Sequence, residues 1–347
     1  MRPALLVLHI LTECNAMRFG TIGTNFIARE FLSAGESLNG FSLAAVYYRE
    51  EERAKAFAGE RSGVRCVTDL NELAAMDDVD AVYISSPNAF HAQQAEMMLK
   101  AGKHVLLEKP ACPDEETFAR LRSLAQEKGL VLLEAMRPAF IPGFHILKKA
   151  IEEVRPVRRV SFTYCQYSSR YDAYKRGIVE NAFNPALCNG SLMDIGVYCI
   201  HALVALFGVP EKICAVANRL DNGLDSQGGA LCVYPEMLAE LSWSKIADSR
   251  RRNEIQGEQG TLLIDSITNP KDIVFVGRDK AQKVIYHDPD PEFFNMSHEI
   301  RAFMDFAAIS EEDSRPWESY NQVTEQVLAL MDDIRSQTGI DFINLHQ

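Results

Sequence analysis

The chain has 347 residues, 47% of them apolar, and a formal net charge of −12. That length accommodates two domains of ordinary size, and that apolar content excludes an intrinsically disordered chain. The acidic balance argues against a nucleic-acid partner, and no apolar run reaches the roughly 18 residues that a membrane-spanning helix needs, so no membrane partner is expected.

Residues 1–16, MRPALLVLHILTECNA, carry one arginine, Arg2, ahead of an apolar run. The outline is that of a leader peptide, but Glu13 beside Cys14 makes a poor cleavage context. The stretch therefore reads as an upstream extension outside the fold. The eight cysteines form no C-x-x-C pair and most lie in apolar runs. Buried free thiols in a reducing, cytoplasmic setting are expected. The acids and histidines lack ligand spacing, so no metal site is expected.

From Met17 the pattern alternates. MRFGTIG reads as a strand, and NFIAREFLSAG as a helix ending at Gly35. FSLAAVYYR is a second strand, and EEERAKAFAGE a helix with acids in its first turn. DAVYISSP is a strand stopped by Pro87, followed by the amphipathic helix NAFHAQQAEMMLKAGK. HVLLEKP is a strand stopped by Pro110, DEETFARLRSLAQEKG a helix, and LVLLEAM a further strand. Strands alternating with helices predict a parallel sheet covered on both faces, with ligands bound outside the strands' carboxyl ends.

The first turn is an imperfect dinucleotide fingerprint. In G-x-G-x-x-G/A, Gly23 takes the first position, Ala28 the third, and Asn25 stands where the second glycine belongs. Asparagine is the least costly substitute if that position needs a positive φ. Backbone N–H groups from Thr24 through Asn25 and Phe26 to Ile27 are expected to hold a diphosphate. The second strand ends Tyr47-Tyr48-Arg49. No acid stands there to take the ribose 2′-OH of NAD, and Arg49 is placed for a 2′-phosphate, so NADP is the expected cofactor, with NAD as the alternative. A salt bridge from Arg49 to Glu50, Glu51 or Glu52 is the competing reading.

The segment SSPNAFHAQQAEMMLKAGKHVLLEKP, residues 85–110, is more specific. Its P-N-x-x-H turn, A-G-K-H-V strand entry and E-K-P ending resemble the Gfo/Idh/MocA oxidoreductase family, which includes glucose-fructose oxidoreductase, inositol dehydrogenase and dihydrodiol dehydrogenase. LLEAMRPAFIPGF, NGSLMDIGVYCIHALVALFG and EIQGEQGTLLID extend the resemblance over residues 17–345. It implies an α/β chain. Residues 17–138 form an N-terminal Rossmann doubly wound parallel sheet that binds the dinucleotide. Residues 139–347 form a C-terminal α/β domain with a large open, mainly antiparallel sheet for substrate binding and oligomerisation. Strand-like runs after residue 155, without long helices between them, agree. A homodimer or higher homo-oligomer is the default assembly.

The resemblance also implies the site. Ser86, Pro87, Asn88, His91 and Glu108 fall on the cofactor side. Lys109, at a strand's carboxyl end, is placed to bond a substrate oxygen and stabilise negative charge on it. Asp194 and Tyr198 are four residues apart and share a helix face. Tyr198 stands at the proton-donor position and Asp194 orients it. A neighbouring Lys109 would lower the tyrosine pKa from its usual value. Arg137, Arg170, Tyr171 and His201 are further candidate substrate contacts. The implied reaction is hydride transfer between a nicotinamide and a hydroxyl or carbonyl carbon of a sugar, polyol or vicinal diol. Two rivals from the same fold remain: a glycoside hydrolase using tightly held NAD, and a non-catalytic regulator that binds cofactor or sugar.

Overall fold

The computed structural model describes residues 16–290, 296–309 and 315–342. The upstream extension expected over residues 1–16 lies, apart from Ala16, outside them. The chain enters its first sheet at Met17, whose amide donates to Gly40 O at 2.7 Å.

Through residue 135 the elements alternate: β1 (Met17–Ile22), α1 (Phe26–Glu36), β2 (Phe41–Tyr47), α2 (Glu51–Ala58), β3 (Arg65–Val67), α3 (Leu70–Ala74), β4 (Ala81–Ile84), α4 (His91–Lys100), β5 (His104–Glu108), α5 (Glu115–Glu127) and β6 (Leu132–Ala135). The short β3 and α3 add to the elements read from the sequence. Six strands pair in parallel in the order β3-β2-β1-β4-β5-β6. The order reverses between β1 and β4, and a crevice opens there at the strands' carboxyl ends. Both faces are covered, so β4 reads AVYI with all four residues buried.

The second half continues with α6 (Pro142–Ala150), β7 (Val157–Cys165), α7 (Tyr171–Lys175), α8 (Val197–Phe207), β8 (Lys212–Arg219), β9 (Asp225–Val233), β10 (Leu238–Ser244), β11 (Asn253–Gly257), β12 (Gly260–Ile264), β13 (Asp272–Gly277), β14 (Gln282–His287), α9 (Met296–Ala307) and α10 (Trp317–Thr338). Eight strands order as β14-β13-β12-β11-β7-β10-β9-β8. All neighbours are antiparallel except β7 and β10, which run parallel at the sheet's centre. The expected mainly antiparallel sheet is thus present, with one parallel seam where the chain returns after the α7–β9 excursion.

This sheet has one dry face. Along β10, Ala239, Leu241 and Trp243 are buried and alternate with Leu238, Glu240 and Ser242. α8 packs on the dry face and α10 packs on α8. The stretch Pro185–Phe207 is apolar enough to cross a membrane by composition, but 72% of its most apolar window is buried inside this protein. α9 and α10 also reach back to the first sheet, α9 against α1 and α10 against α5 and β6. The two sheets are thereby clamped together around the crevice.

Candidate active site

A cleft of roughly 1050 Å³ runs along the carboxyl ends of β1, β2, β4, β5 and β6. It is closed on the far side by segments that follow β7 and β10 and by the start of α8. Gly23 opens it with φ +110, a left-handed value that favours glycine. A Cβ there would sit 2.7 Å from Ser85 Oγ, so the β1 turn and the β4 end pack too closely for any side chain.

Asn25 departs from the expectation. Its φ is −74 and ψ −176, ordinary extended backbone rather than a left-handed turn. It is the N-cap of α1: its Oδ1 accepts from Ala28 N at 3.0 Å, and its Nδ2 donates to Ser85 O at 2.8 Å. The residue is asparagine because a cap needs a side-chain acceptor, not because the backbone needs positive φ. The cap leaves the amides of Phe26 and Ile27 with no acceptor in the chain among the described residues. Replacing Asn25 by Ala is expected to cost about 1 kcal/mol and by Gly only a few tenths. Urea unfolding checks this, and equal losses for both would contradict the cap.

At the other end of the crevice Tyr48, Arg49 and Arg53 line the wall. Glu50 stands at the N-cap position of α2, without a side-chain capping bond, and Glu51 and Glu52 sit in its first turn. The competing salt bridge does not form: Arg53 takes Glu50 at 3.1 Å, Lys55 takes Glu51 and Glu52, and Arg49 has no bonded partner among the described residues. Arg53 also donates to Tyr48 Oη at 2.9 Å, and its role in this wall was not read from the sequence.

The P-N-x-x-H turn stitches the loops together. His91 is fully buried, with Nε2 at 2.8 Å from Ser86 O and Nδ1 at 3.1 Å from Pro110 O. It ties the β4 loop to the β5 loop and so fixes the backbone that carries Lys109. Ser86 Oγ donates to Gln94 at 2.6 Å, and Asn88 Nδ2 donates to Cys188 O at 2.8 Å across to the second half. Pro87 lines the cleft between them. Beneath the β5 loop, Ala111 N donates to Glu134 Oε1 at 2.9 Å, while Thr324 Oγ1 donates to Glu134 Oε2. Burial pushes the Glu134 carboxyl up to about 7. Glu108 is buried, accepts from Tyr83 Oη at 2.6 Å and is raised by its burial.

Asp194 and Tyr198 come from one continuous helical stretch, but not a regular one. Leu192–Gly196 is a π-turn that runs into α8, a distortion frequent at functional sites. Its start is held by buried Asp225 of β9, whose carboxylate accepts from Leu192 N at 2.6 Å and from Ser191 Oγ. Lys109 Nζ donates to Asp194 Oδ1 at 3.0 Å and to Asp194 O at 2.9 Å. It also lies 5.1 Å from the centre of the Tyr198 ring. The three residues singled out in the sequence therefore meet at one point.

A fourth residue joins them. Lys245, just past β10, donates to Asp194 Oδ2 at 2.6 Å and lies 5.0 Å from the Phe183 ring centre. Burial alone would raise the Asp194 pKa, but the two ammonium groups outweigh it and hold the carboxylate well below its ordinary range. Burial would lower Lys109, yet Tyr198, Asp194 and Glu108 outweigh that and raise it. Tyr198 differs from the expectation: burial pushes it up to about 12, against the opposing pull of Lys109 and Arg137. The lysine acts in the expected direction, but desolvation of the phenolate is larger.

Of the weaker candidates, Arg137 and Arg170 line the cleft, and Arg170 pairs with Glu180 at 3.4 Å. Tyr171 does not; it packs among Tyr167, Tyr174 and Phe183. His201 is likewise off the cleft. Three residues past Tyr198, the helix has turned it into the core 6.1 Å from Phe144, and burial alone depresses its pKa to about 4.

The wall fits a dinucleotide: helix N-terminal amides and a β2-end arginine that have no bonded partner among the described residues, and a glycine too confined for a side chain. Residues 17–136 match the oxidoreductase family described by its NAD-binding Rossmann fold, and residues 153–263 match the GFO/IDH/MocA C-terminal domain. The chain is 42% identical to scyllo-inositol 2-dehydrogenase (NADP(+)) of Bacillus subtilis, over 93% of this chain and 98% of the relative. It is 26% identical to trans-1,2-dihydrobenzene-1,2-diol dehydrogenase of Sus scrofa, over 76% and 79%. Among solved structures, a 3-ketoreductase from Actinomadura kijaniata in complex with NADP and TDP-benzene superposes with a TM-score of 0.82. It is 27% identical, covering 93% of this chain and 98% of that one.

Proposed function

This chain belongs to the Gfo/Idh/MocA oxidoreductase family, and from that premise we propose that it is an NADP-dependent dehydrogenase of a cyclic polyol, with Tyr198 as acid–base and Lys109 as its electrostatic partner. The convergence of Lys109, Asp194 and Tyr198 on one point of the cleft carries this reading. The relative named for scyllo-inositol and NADP(+) supports the substrate class. So does the substrate side of the cleft, where Gln166, Ser168, Asn181 and Asn189 offer uncharged donors and acceptors suited to ring hydroxyls.

In the oxidative direction a substrate CH–OH becomes C=O. A bound nicotinamide dinucleotide supplies the hydride acceptor. Tyr198 Oη takes the hydroxyl proton, and the Lys109 ammonium stabilises the negative charge that grows on the substrate oxygen. Asp194 holds Lys109 in place. Phe26 and Ile27 amides and Thr24 serve the diphosphate, and Arg49 and Arg53 the 2′-phosphate. Residues 17–138 carry the cofactor and the remainder the substrate. Val216, Leu231 and Leu238, exposed on the second sheet, support self-association through that sheet.

The test is NADPH formation from NADP+ and scyllo-inositol by the purified protein. Steady turnover supports the reading; none with this or other cyclic polyols would overturn it. Cofactor choice has its own test. Arg49→Ala is expected to weaken NADPH by about 1.5–3 kcal/mol, the range for bonds to a charged group, and to leave NADH unchanged. Fluorescence titration of both cofactors reads this, and equal weakening would remove Arg49 from the 2′-phosphate.

A further inference from the structure

Asp194 faces two ammonium groups, although one would neutralise it. Lys109 holds Oδ1 at 3.0 Å and Lys245 holds Oδ2 at 2.6 Å. Lys245 is only 3% exposed. Its further polar neighbour is Ala182 O, at 3.4 Å. Taking a lysine this far out of water is costly, and an apolar chain of the same length would fill the place without that cost. The charge itself therefore needs a purpose.

Counting charge supplies one. Asp194 with Lys109 alone is a neutral pair, and its carboxylate would cancel the ammonium next to the reacting oxygen. With Lys245 included, the trio keeps one net positive charge in a site where screening is weak. We propose that Lys245 is a positioning residue that acts through Asp194, drawing the carboxylate off Lys109 so that the Lys109 charge remains available to Tyr198 and the substrate oxygen. This rests on the reading of Tyr198 as the acid–base.

The groups that face Tyr198 are Lys109 and Glu108 at the end of β5, Arg137 after β6, and Tyr164 of β7, whose ring centre lies 5.7 Å away. Among the described residues the Lys245 ammonium bonds Asp194 and Ala182 O but not Tyr198. In Lys245→Met, Asp194 pairs with Lys109 alone and the phenolate loses support. Oxidation needs the phenolate, so the rate rises with pH through the Tyr198 ionisation, and that acidic limb moves up.

The experiment is the pH profile of kcat for scyllo-inositol oxidation with NADP+ in four proteins. Relative to wild type, Lys245→Met is expected to move the acidic limb up by on the order of one pH unit, with NADPH affinity unchanged. Lys245→Arg keeps the charge and is expected to keep the limb. The double variant Lys245→Met with Asp194→Asn restores one net positive charge and is expected to bring the limb back. An unmoved limb in Lys245→Met overturns the inference, as does an equal shift in Lys245→Arg. If Lys245→Met does not fold, a double variant whose limb stays high overturns it. Absence of wild-type turnover overturns the reading of the site, and this inference with it; wild-type turnover with an unmoved limb overturns the inference alone.

Discussion

Tyr198→Phe is expected to lower kcat by about 10²–10⁴, the range for a positioned acid–base group. The substitution removes one oxygen and keeps the ring, which packs edge-on against Tyr164 at 5.7 Å. Stability and NADPH affinity should therefore hold. Burial pushes the Tyr198 phenol up to about 12, so ionisation depends on surroundings that favour the phenolate. Lys109, Arg137 and the positive charge of an oxidised nicotinamide all act that way. Turnover near that of wild type would take Tyr198 out of the proton path. His201 could not replace it, since the core holds it away from the cleft.

Lys109→Met should cost a comparable factor for a different reason. Methionine keeps most of the stem but removes the charge proposed to meet the growing alkoxide. It also leaves Asp194 to Lys245 alone. The double variant with Tyr198→Phe should be little slower than the slower single variant, because groups that act on one oxygen as a unit are not additive. Steady-state rates of the four proteins form the cycle. Losses that multiply would show that the two residues act independently, and the shared-oxygen geometry would be wrong.

Much of the first sheet was legible because helix and strand periods alternate from Met17 to Ala58 and again from Ala81 to Ala135. Gly23, Pro87 and the E-K-P ending mark strand ends by local chemistry, and local chemistry survives in sequence. β3, with three residues, and β14, with four exposed positions among its six, carry too little apolar pattern to declare themselves. Asn25 shows a different limit. A polar residue before an apolar helix is a cap signal, but the glycine fingerprint overshadowed it, and only the backbone angles separate the two.

The candidate site was legible where its residues share a motif. Asp194 and Tyr198 lie one turn apart, and Lys109 sits in a recognisable turn. Lys245 lies in no such pattern. It arrives only because β7 and β10 pair in parallel at the centre of the second sheet, a register that long-range packing decides. The tyrosine pKa was read in the wrong direction for a similar reason: the neighbouring charge is visible in sequence, whereas the desolvation that outweighs it depends on the closed cleft.

The proposed reaction in this cleft moves a hydride from a ring carbon of a cyclic polyol to NADP+. The most direct measurement uses scyllo-inositol carrying deuterium on its ring carbons, incubated with the protein and NADP+, followed by mass analysis of the nicotinamide product. The expected result is one deuterium per NADPH formed, with product accumulating in proportion to substrate consumed. NADPH formed without deuterium would show that the hydride comes from elsewhere. Substrate converted with no net NADPH would mean a cofactor reduced only transiently, and either result would contradict the claim.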